Sequence, residues 1–400
     1  MSVTSPRVSF DDTAAAFSFR DDRELSRMYW LFWLMNLGWL THLAKYVIPV
    51  VIRLHLPVRK WIRDTLYKQF CGGETLEHVM QTADRLAHAG MHIILDYGVE
   101  GKETEEVFEH TCAEYVRMIT YATRKPNIPF IAVKMTGLAR TQLLEKLHER
   151  QNLTESEKAE WQRACQRLER IVQEATKHHI GVMVDAEESW IQSPIDACVM
   201  QLMQTYNRQK PVLFQTYQLY RTDRLEVLKS HILEAKEKAF VLGAKLVRGA
   251  YLEKERKRAV EKGYPSPVHA NKNRTDEDYN EAIQYSLAHL QDVCCCIATH
   301  NEKSCQLAIQ LMEEKQIAPD HPHVYFSQLY GMSDHISFNL ARHGYRVCKY
   351  LPYGPLEDVI PYLMRRAQEN TSVAGQTSRE LRLIQQEITR RKMLHQQGVH

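Results

Sequence analysis

The 400-residue sequence has no Cys-x-x-Cys, no Gly-x-Gly-x-x-Gly and no Gly-x-x-x-x-Gly-Lys-Ser/Thr. The first absence removes the common zinc knuckle and dithiol redox pair, so no metal site is read here; the others remove the dinucleotide fingerprint and the Walker loop. No apolar run is long enough to span a bilayer, since MYWLFWLMNLGWL is about 13 residues against the roughly 20 required. The N-terminus MSVTSPRVSFDDTAAAFSFRDDREL lacks a basic segment followed by an apolar core. Its two Asp-Asp pairs argue against an acid-poor transit peptide, so neither export nor cleaved import is expected. An excess of one charge is also missing: 52 basic against 49 acidic residues gives +3, with no basic block to track a phosphate backbone. No nucleic-acid partner is expected. Nine cysteines, an odd number with Cys294, Cys295 and Cys296 consecutive, fit reduced thiols in a reducing compartment.

What is present is a globular composition, 44% hydrophobic and 25% charged, with chain enough for one large or two ordinary domains. Trp30, Trp33 and Trp39 lie on the short apolar stretch, which reads as a core helix, with a peripheral membrane contact as the alternative. From residue 92 onward, short apolar and β-branched runs alternate with segments of helical periodicity: HIILDYG, FIAVKMTG, GVMVDAEE, VLFQTYQLY, AKLVRGAY, CCCIATHN, HVYFSQLYG and YRVCKYLPYG. Alternating strands and crossover helices make a parallel sheet, and eight such units predict a closed (β/α)8 barrel of the TIM type. Residues 1–90 read as an N-terminal helical arm, 91–375 as the barrel, and 376–400 as a polar tail expected to fray.

On a barrel the C-terminal strand ends form the active face. Glu100 follows the first run; Lys134 lies in the second, and Asp185 and Glu187 close the third. Gln215 and Tyr217 lie in the fourth, Lys245 and Arg248 in the fifth, Thr299 and His300 end the sixth, Gln328 closes the seventh and Tyr350 the eighth. Lys134 could be a structural partner of Asp185, and His300 a satisfied core histidine. Taken together, burying so many polar ends costs a few kcal/mol each unless they meet partners or ligands, which predicts a mouth that holds something polar and anionic. Behind the eighth run comes YLPYGPLEDVIPYLMRRAQEN. If it is helical from Pro355, Tyr362, Arg365, Arg366 and Glu369 share one stripe, and two adjacent guanidiniums make a forked receptor for a carboxylate.

The motifs LDYGVEG, VDAEE, QTYQ, KLVRGAY, ATHN, QLYGM, YLPYG and YLMRRAQEN, in this order over roughly residues 90–370, resemble the proline dehydrogenase family in its monofunctional form. The resemblance implies a distorted (βα)8 barrel with the last helix over its mouth. It also implies FAD as cofactor, L-proline as substrate, Δ1-pyrroline-5-carboxylate as product and a membrane quinone as electron acceptor. Carried over position by position, it puts Lys134, Asp185, Tyr350, Tyr362, Arg365 and Arg366 in the catalytic set, and adds Tyr251 and Glu100 to the substrate shell. Arg365 and Arg366, with Lys134, would take the proline carboxylate; Tyr350 and Tyr362 would wall the ring; Glu100 would pair with Arg365 as a gate. The flavin shell falls on Gln215, Lys245, Val247, Gly249, Lys272, Thr299, His300 and Gln328. Bifunctional bacterial members carry Arg at Lys245 and Thr near Ala270, so the pattern departs there.

Two alternatives stay open: hydroxyproline dehydrogenase, which shares fold, flavin and Arg pair, and a catalytically silent membrane-surface barrel. The expected location is cytoplasmic, peripheral to the inner membrane, or else the matrix side of the mitochondrial inner membrane.

Overall fold

The computed structural model describes residues 8–36, 58–98, 103–372 and 376–397. All eight expected strands form, in chain order and parallel: β1 His92–Tyr97, β2 Phe130–Val133, β3 Gly181–Val184, β4 Leu213–Gln218, β5 Leu242–Val247, β6 Val293–Ala298, β7 Val324–Leu329 and β8 Val347–Tyr353. They close into a barrel in the order β1 to β8. Their sequences are near-continuous apolar runs because a parallel sheet with a helical outer layer is buried on both faces, and β2, β3, β4 and β8 are buried at every position. Contacts divide the chain into two compact units. One takes Ile93–Tyr97 and Gly101–Ser327; the other takes Met1–His92, Gly98–Glu100 and Gln328–His400.

In the first unit the register runs Ile94 to Phe130, Ala132 to Met183, Val184 to Gln215, Thr216 to Lys245, Lys245 to Cys296, and Ala298 to Ser327. At the N-terminal ends of these strands, Phe130 meets Phe214 edge-on at 5.3 Å and Tyr325 at 4.9 Å. Gly181 and Gly243 make room for this floor, since a Cβ on Gly181 would lie 2.4 Å from the Phe130 ring and one on Gly243 2.7 Å from Phe214. With aromatic rings filling that end, the polar side chains collect at the other.

The second unit gathers both chain ends. Helix α1, Thr13–Ala16, is followed by α2, Asp22–Met35, which starts in a capping box between Asp21 and Glu24. The segment after Asn370, whose polarity suggested fraying, instead forms α3, Gln376–Gln396. The reason is a narrow apolar stripe. Leu383 and Ile384 pack with Ala16, Phe17, Leu25, Met28 and Phe32, while Arg391 donates to the carbonyls of Phe17 (2.8 Å) and Arg20 (2.9 Å). The helix Ile360–Ser372, which carries the two arginines, is therefore not the last in the chain, and it begins five residues later than Pro355. It is seated by Leu356, Val359, Tyr362 and Leu363 in a core with Leu31, Met35, Ile62, Leu66, Tyr67 and Phe70.

Beneath these helices lies a buried ionic cluster. Lys349 of β8 sits 2.7 Å from Asp334 and donates to the Met332 carbonyl at 2.8 Å. Arg20 approaches the same carboxylate at 3.5 Å, and the Glu380 carboxylate accepts from the Ser333 amide. Removing one member of such a cluster strands its partners' charges, which costs about 3–5 kcal/mol. Asp334→Ala is expected to lose that much unfolding free energy, read from the denaturant midpoint; a loss below about 1 kcal/mol would show that water reaches Lys349 and Arg20.

Candidate active site

The strand ends of the first unit form an alternating row of charges. Asp96, fully buried on β1, accepts from Lys134 Nζ at 3.0 Å. Lys134, immediately after β2, is 3.8 Å from Asp185 just beyond β3, and Asp185 accepts from Lys245 Nζ of β5 at 2.5 Å. Lys134 does pair with Asp185, as its position allowed, but its shorter bond goes to Asp96. That residue was missed because it stands inside an apolar run. The signal was nonetheless there, since a carboxylate in the middle of HIILDYG needs a buried counter-charge.

A second row runs along the loops. Glu187, buried, accepts from Thr136 at both the backbone N–H (3.0 Å) and Oγ1 (2.5 Å), and its own carbonyl accepts from Gln218 Nε2 at 2.7 Å. Burial raises the Glu187 carboxyl to about 7, against the opposing pull of the Thr136 bonds. Arg248, one residue past β5, donates to Asp276 (2.7 Å), to Thr299 Oγ1 (2.5 Å) and to Ser304 Oγ (2.9 Å), with its guanidinium 4.3 Å over the Tyr279 ring. Thr299 is thus oriented by an arginine just past the neighbouring strand. Asp276 also accepts from Lys272 at 2.5 Å, so Lys272, on the first turn of helix Lys272–Ala288, is a largely exposed lysine drawn to the same carboxylate.

Gln215 differs from all of these. It is 1% exposed, and neither its amide oxygen nor its nitrogen has a hydrogen-bond partner among the described residues. Such an amide costs free energy unless a ligand completes it. Val247 is the last residue of β5. Gly249 follows with φ +136°, where a Cβ would lie 2.4 Å from the Tyr220 ring, so only glycine fits. Tyr251 occupies the N-cap position of helix Leu252–Lys262 without a side-chain cap bond, and His300 is partly exposed just past β6.

In the other unit, Arg366 is 6% exposed and its guanidinium lies 4.9 Å over the ring of Tyr362, one turn earlier, with Arg365 half-buried beside it. The shared stripe read from the spacing is therefore real for Tyr362 and Arg366. Tyr350 is buried and lies in the middle of β8, because the strand runs on to Tyr353 instead of ending at Tyr350. Gln328 is buried on β7, and its Oε1 accepts from Ser337 Oγ at 2.8 Å. Glu100 and Trp39 lie outside the described residues, and so does the Glu369 side chain.

A family model described as proline dehydrogenase matches residues 79–379. The chain belongs to the proline dehydrogenase family. It is an oxidoreductase of that family, on the closed eight-stranded barrel. It is similar to the carbapenem antibiotics biosynthesis protein CarD of Pectobacterium carotovorum, 38% identical over 80% of this chain and 83% of that protein. It is also similar to hydroxyproline dehydrogenase of Xenopus laevis, 30% identical over 96% of this chain and 90% of that protein. Among solved structures, proline utilization A (PutA) of Bdellovibrio bacteriovorus, inactivated by N-propargylglycine, superposes with a TM-score of 0.72 at 20% identity. The match covers 93% of this chain and 40% of that one, and shows the shared fold. No helix among the described residues is long and apolar enough to cross a membrane.

The raised Glu187 carboxyl has a pH consequence with a definite sign. Its folded-state value of about 7 lies above the ordinary 4.5, so the folded state holds the proton longer, and Glu187 subtracts stability as pH rises between those values. The unfolding free energy of Glu187→Gln relative to the parent should therefore rise by about 3 kcal/mol from pH 4 to pH 8. A difference that is flat with pH would mean that Glu187 titrates alike in the folded and unfolded states.

Proposed function

We propose that the chain oxidises L-proline to Δ1-pyrroline-5-carboxylate with FAD as cofactor and passes the electrons to a membrane quinone, as the first step of proline catabolism towards glutamate. The observation that carries this reading is the Arg366 guanidinium stacked on Tyr362 with Arg365 adjacent. An aromatic face joined to paired cations is the chemistry that a small apolar ring bearing a carboxylate requires. Gln215 supports the cofactor, because a buried amide with both ends open is suited to the hydrogen-bonding edge of a flavin ring. Lys245, Val247, Gly249, Lys272, Thr299, His300 and Gln328 are the other residues that would hold it. When bound, FAD supplies the two-electron acceptor that the amine oxidation needs.

The protein's own part is positioning and electrostatics. On this reading Arg365 and Arg366 would take the substrate carboxylate and Tyr350 and Tyr362 would pack on the ring, while Lys134 and Tyr251 are the residues that the resemblance adds to the substrate shell. Asp185 accepts from Lys245 and faces Lys134, so its charge is compensated and it orients these lysines rather than acting as a free base. The substrate amine loses its proton to solvent.

Electron delivery to a quinone suits a peripheral position on a bilayer. Trp30, Trp33 and Trp61 are 59%, 41% and 51% exposed, with the Trp30 and Trp33 rings in edge contact at 5.7 Å. Exposed tryptophans prefer the lipid interface, and this favours the inner face of a bacterial inner membrane or the matrix face of a mitochondrial one. Trp30→Ser with Trp33→Ser should cut co-sedimentation with anionic vesicles several-fold; undiminished binding would remove the membrane part of the reading.

The purified protein should be yellow and should bleach on addition of L-proline without oxygen. Arg365→Met and Arg366→Met should each keep the colour but raise KM for proline about tenfold or more, since each loses a charge-assisted bond worth about 1.5–3 kcal/mol. A colourless folded protein that takes up no flavin contradicts the proposal, and so does an unchanged KM in both variants.

Substrate choice turns on Tyr350. A phenol ring over the pyrrolidine leaves no space for a C4 hydroxyl, so the parent should prefer proline to trans-4-hydroxy-L-proline. Tyr350→Ser should lower kcat/KM for proline and shift the ratio towards the hydroxylated substrate by about 10 to 200-fold. A parent that prefers hydroxyproline, or a ratio that the substitution leaves unmoved, takes Tyr350 out of the substrate wall.

A further inference from the structure

Outside the strand ends, helices Glu155–His178 and Ser189–Tyr206 flank β3 in sequence and pack on each other. Each presents one thiol at their contact. Cys198, 7% exposed, donates to Cys165 across an Sγ to Sγ distance of 3.3 Å, and Cys165 is partly open to solvent. Cysteine often serves merely as a small apolar filler. Here, however, the two sulfurs face each other, and only a little over 1 Å separates them from the roughly 2.05 Å of a disulfide bond, a gap that side-chain rotation can close.

We propose that Cys165 and Cys198 form a reversible thiol switch, closed to a disulfide by hydrogen peroxide and reopened by thiol reductants. The hydrogen shared from Cys198 lowers the Cys165 thiol and raises the Cys198 thiol, so the more exposed sulfur is the one that reacts first. The Cys165 thiolate attacks one peroxide oxygen and the O–O bond breaks. Hydroxide leaves and takes up the thiol's proton as water, and Cys165 becomes a sulfenic acid. Cys198 sulfur then attacks Cys165 Sγ, the S–O bond breaks, and the second water departs with the Cys198 proton. Two thiols are oxidised and one peroxide is reduced by two electrons. The closed bond staples together the two helices that bracket β3, the strand whose end carries Asp185 and Glu187. An open ground state suits a reducing compartment, where disulfides are transient and sensory.

The test treats the reduced full-length protein with hydrogen peroxide, alkylates the remaining thiols and maps the peptides. The expected product is a linked pair containing Cys165 and Cys198, an intact mass lower by two hydrogens, a higher melting midpoint than the reduced form, and full reversal by dithiothreitol. In Cys198→Ser, Cys165 should instead be trapped by dimedone as a sulfenic acid. Oxidation of the parent that links other cysteines, or leaves Cys165 and Cys198 alkylatable at peroxide doses that label Cys165 in Cys198→Ser, overturns the proposal. So does the absence of dimedone labelling in that variant. The peptide map of the parent decides the matter alone if the variant fails to fold.

Discussion

The alternating row Asp96, Lys134, Asp185 and Lys245 is the constraint on which the strand ends depend. Two carboxylates and two ammoniums cancel, which lets four ionised groups stay in a mostly buried position where any one alone would lose several kcal/mol of hydration. Each member stands on or just after a different strand. A one-residue slip of any strand would turn its charged group to the opposite face and strand the neighbours. The row therefore fixes register at the end of the barrel where chemistry is possible, while the aromatic floor of Phe130, Phe214 and Tyr325 fixes it at the other.

The loops repeat the same logic. Arg248 ties Asp276, Thr299 and Ser304 into one set of bonds, and Glu187 ties the loop after β3 to Thr136 after β2. Side chains bonded to side chains hold these loops more firmly than their backbones could. A preorganised surround of this kind is what lets a site orient its substrate without reorganising during the reaction. Gln215 stands apart in this crowded setting because its amide is buried yet open at both ends.

The eight strands were legible because buried parallel strands are written as unbroken apolar runs, and the polar residues at their ends were legible because they interrupt those runs. The pairing of charges was not. Asp96 and Lys134 are 38 residues apart, and Lys245 and Asp185 are 60 apart, so partners are set by register and barrel curvature, which composition does not encode. Tyr350 was placed at a strand end, yet β8 runs on through Pro352 to Tyr353, and the Pro352 carbonyl accepts from the Gly72 amide at 2.8 Å. The last helix was hidden in a polar segment because its few apolar residues, Leu383 and Ile384, find their partners among the first residues of the chain.

That pairing of chain ends has a consequence for biosynthesis. The apolar faces of α1 and α2 leave the ribosome well before Leu383 and Ile384, which lie roughly 350 residues later. At about 5–20 residues per second, Phe17, Met28 and Phe32 wait roughly 20–70 s for the residues that cover them. Throughout that interval the nascent chain presents an unmatched greasy strip that also bears Trp30 and Trp33, a surface suited to chaperones or to the membrane itself until Leu383 and Ile384 arrive.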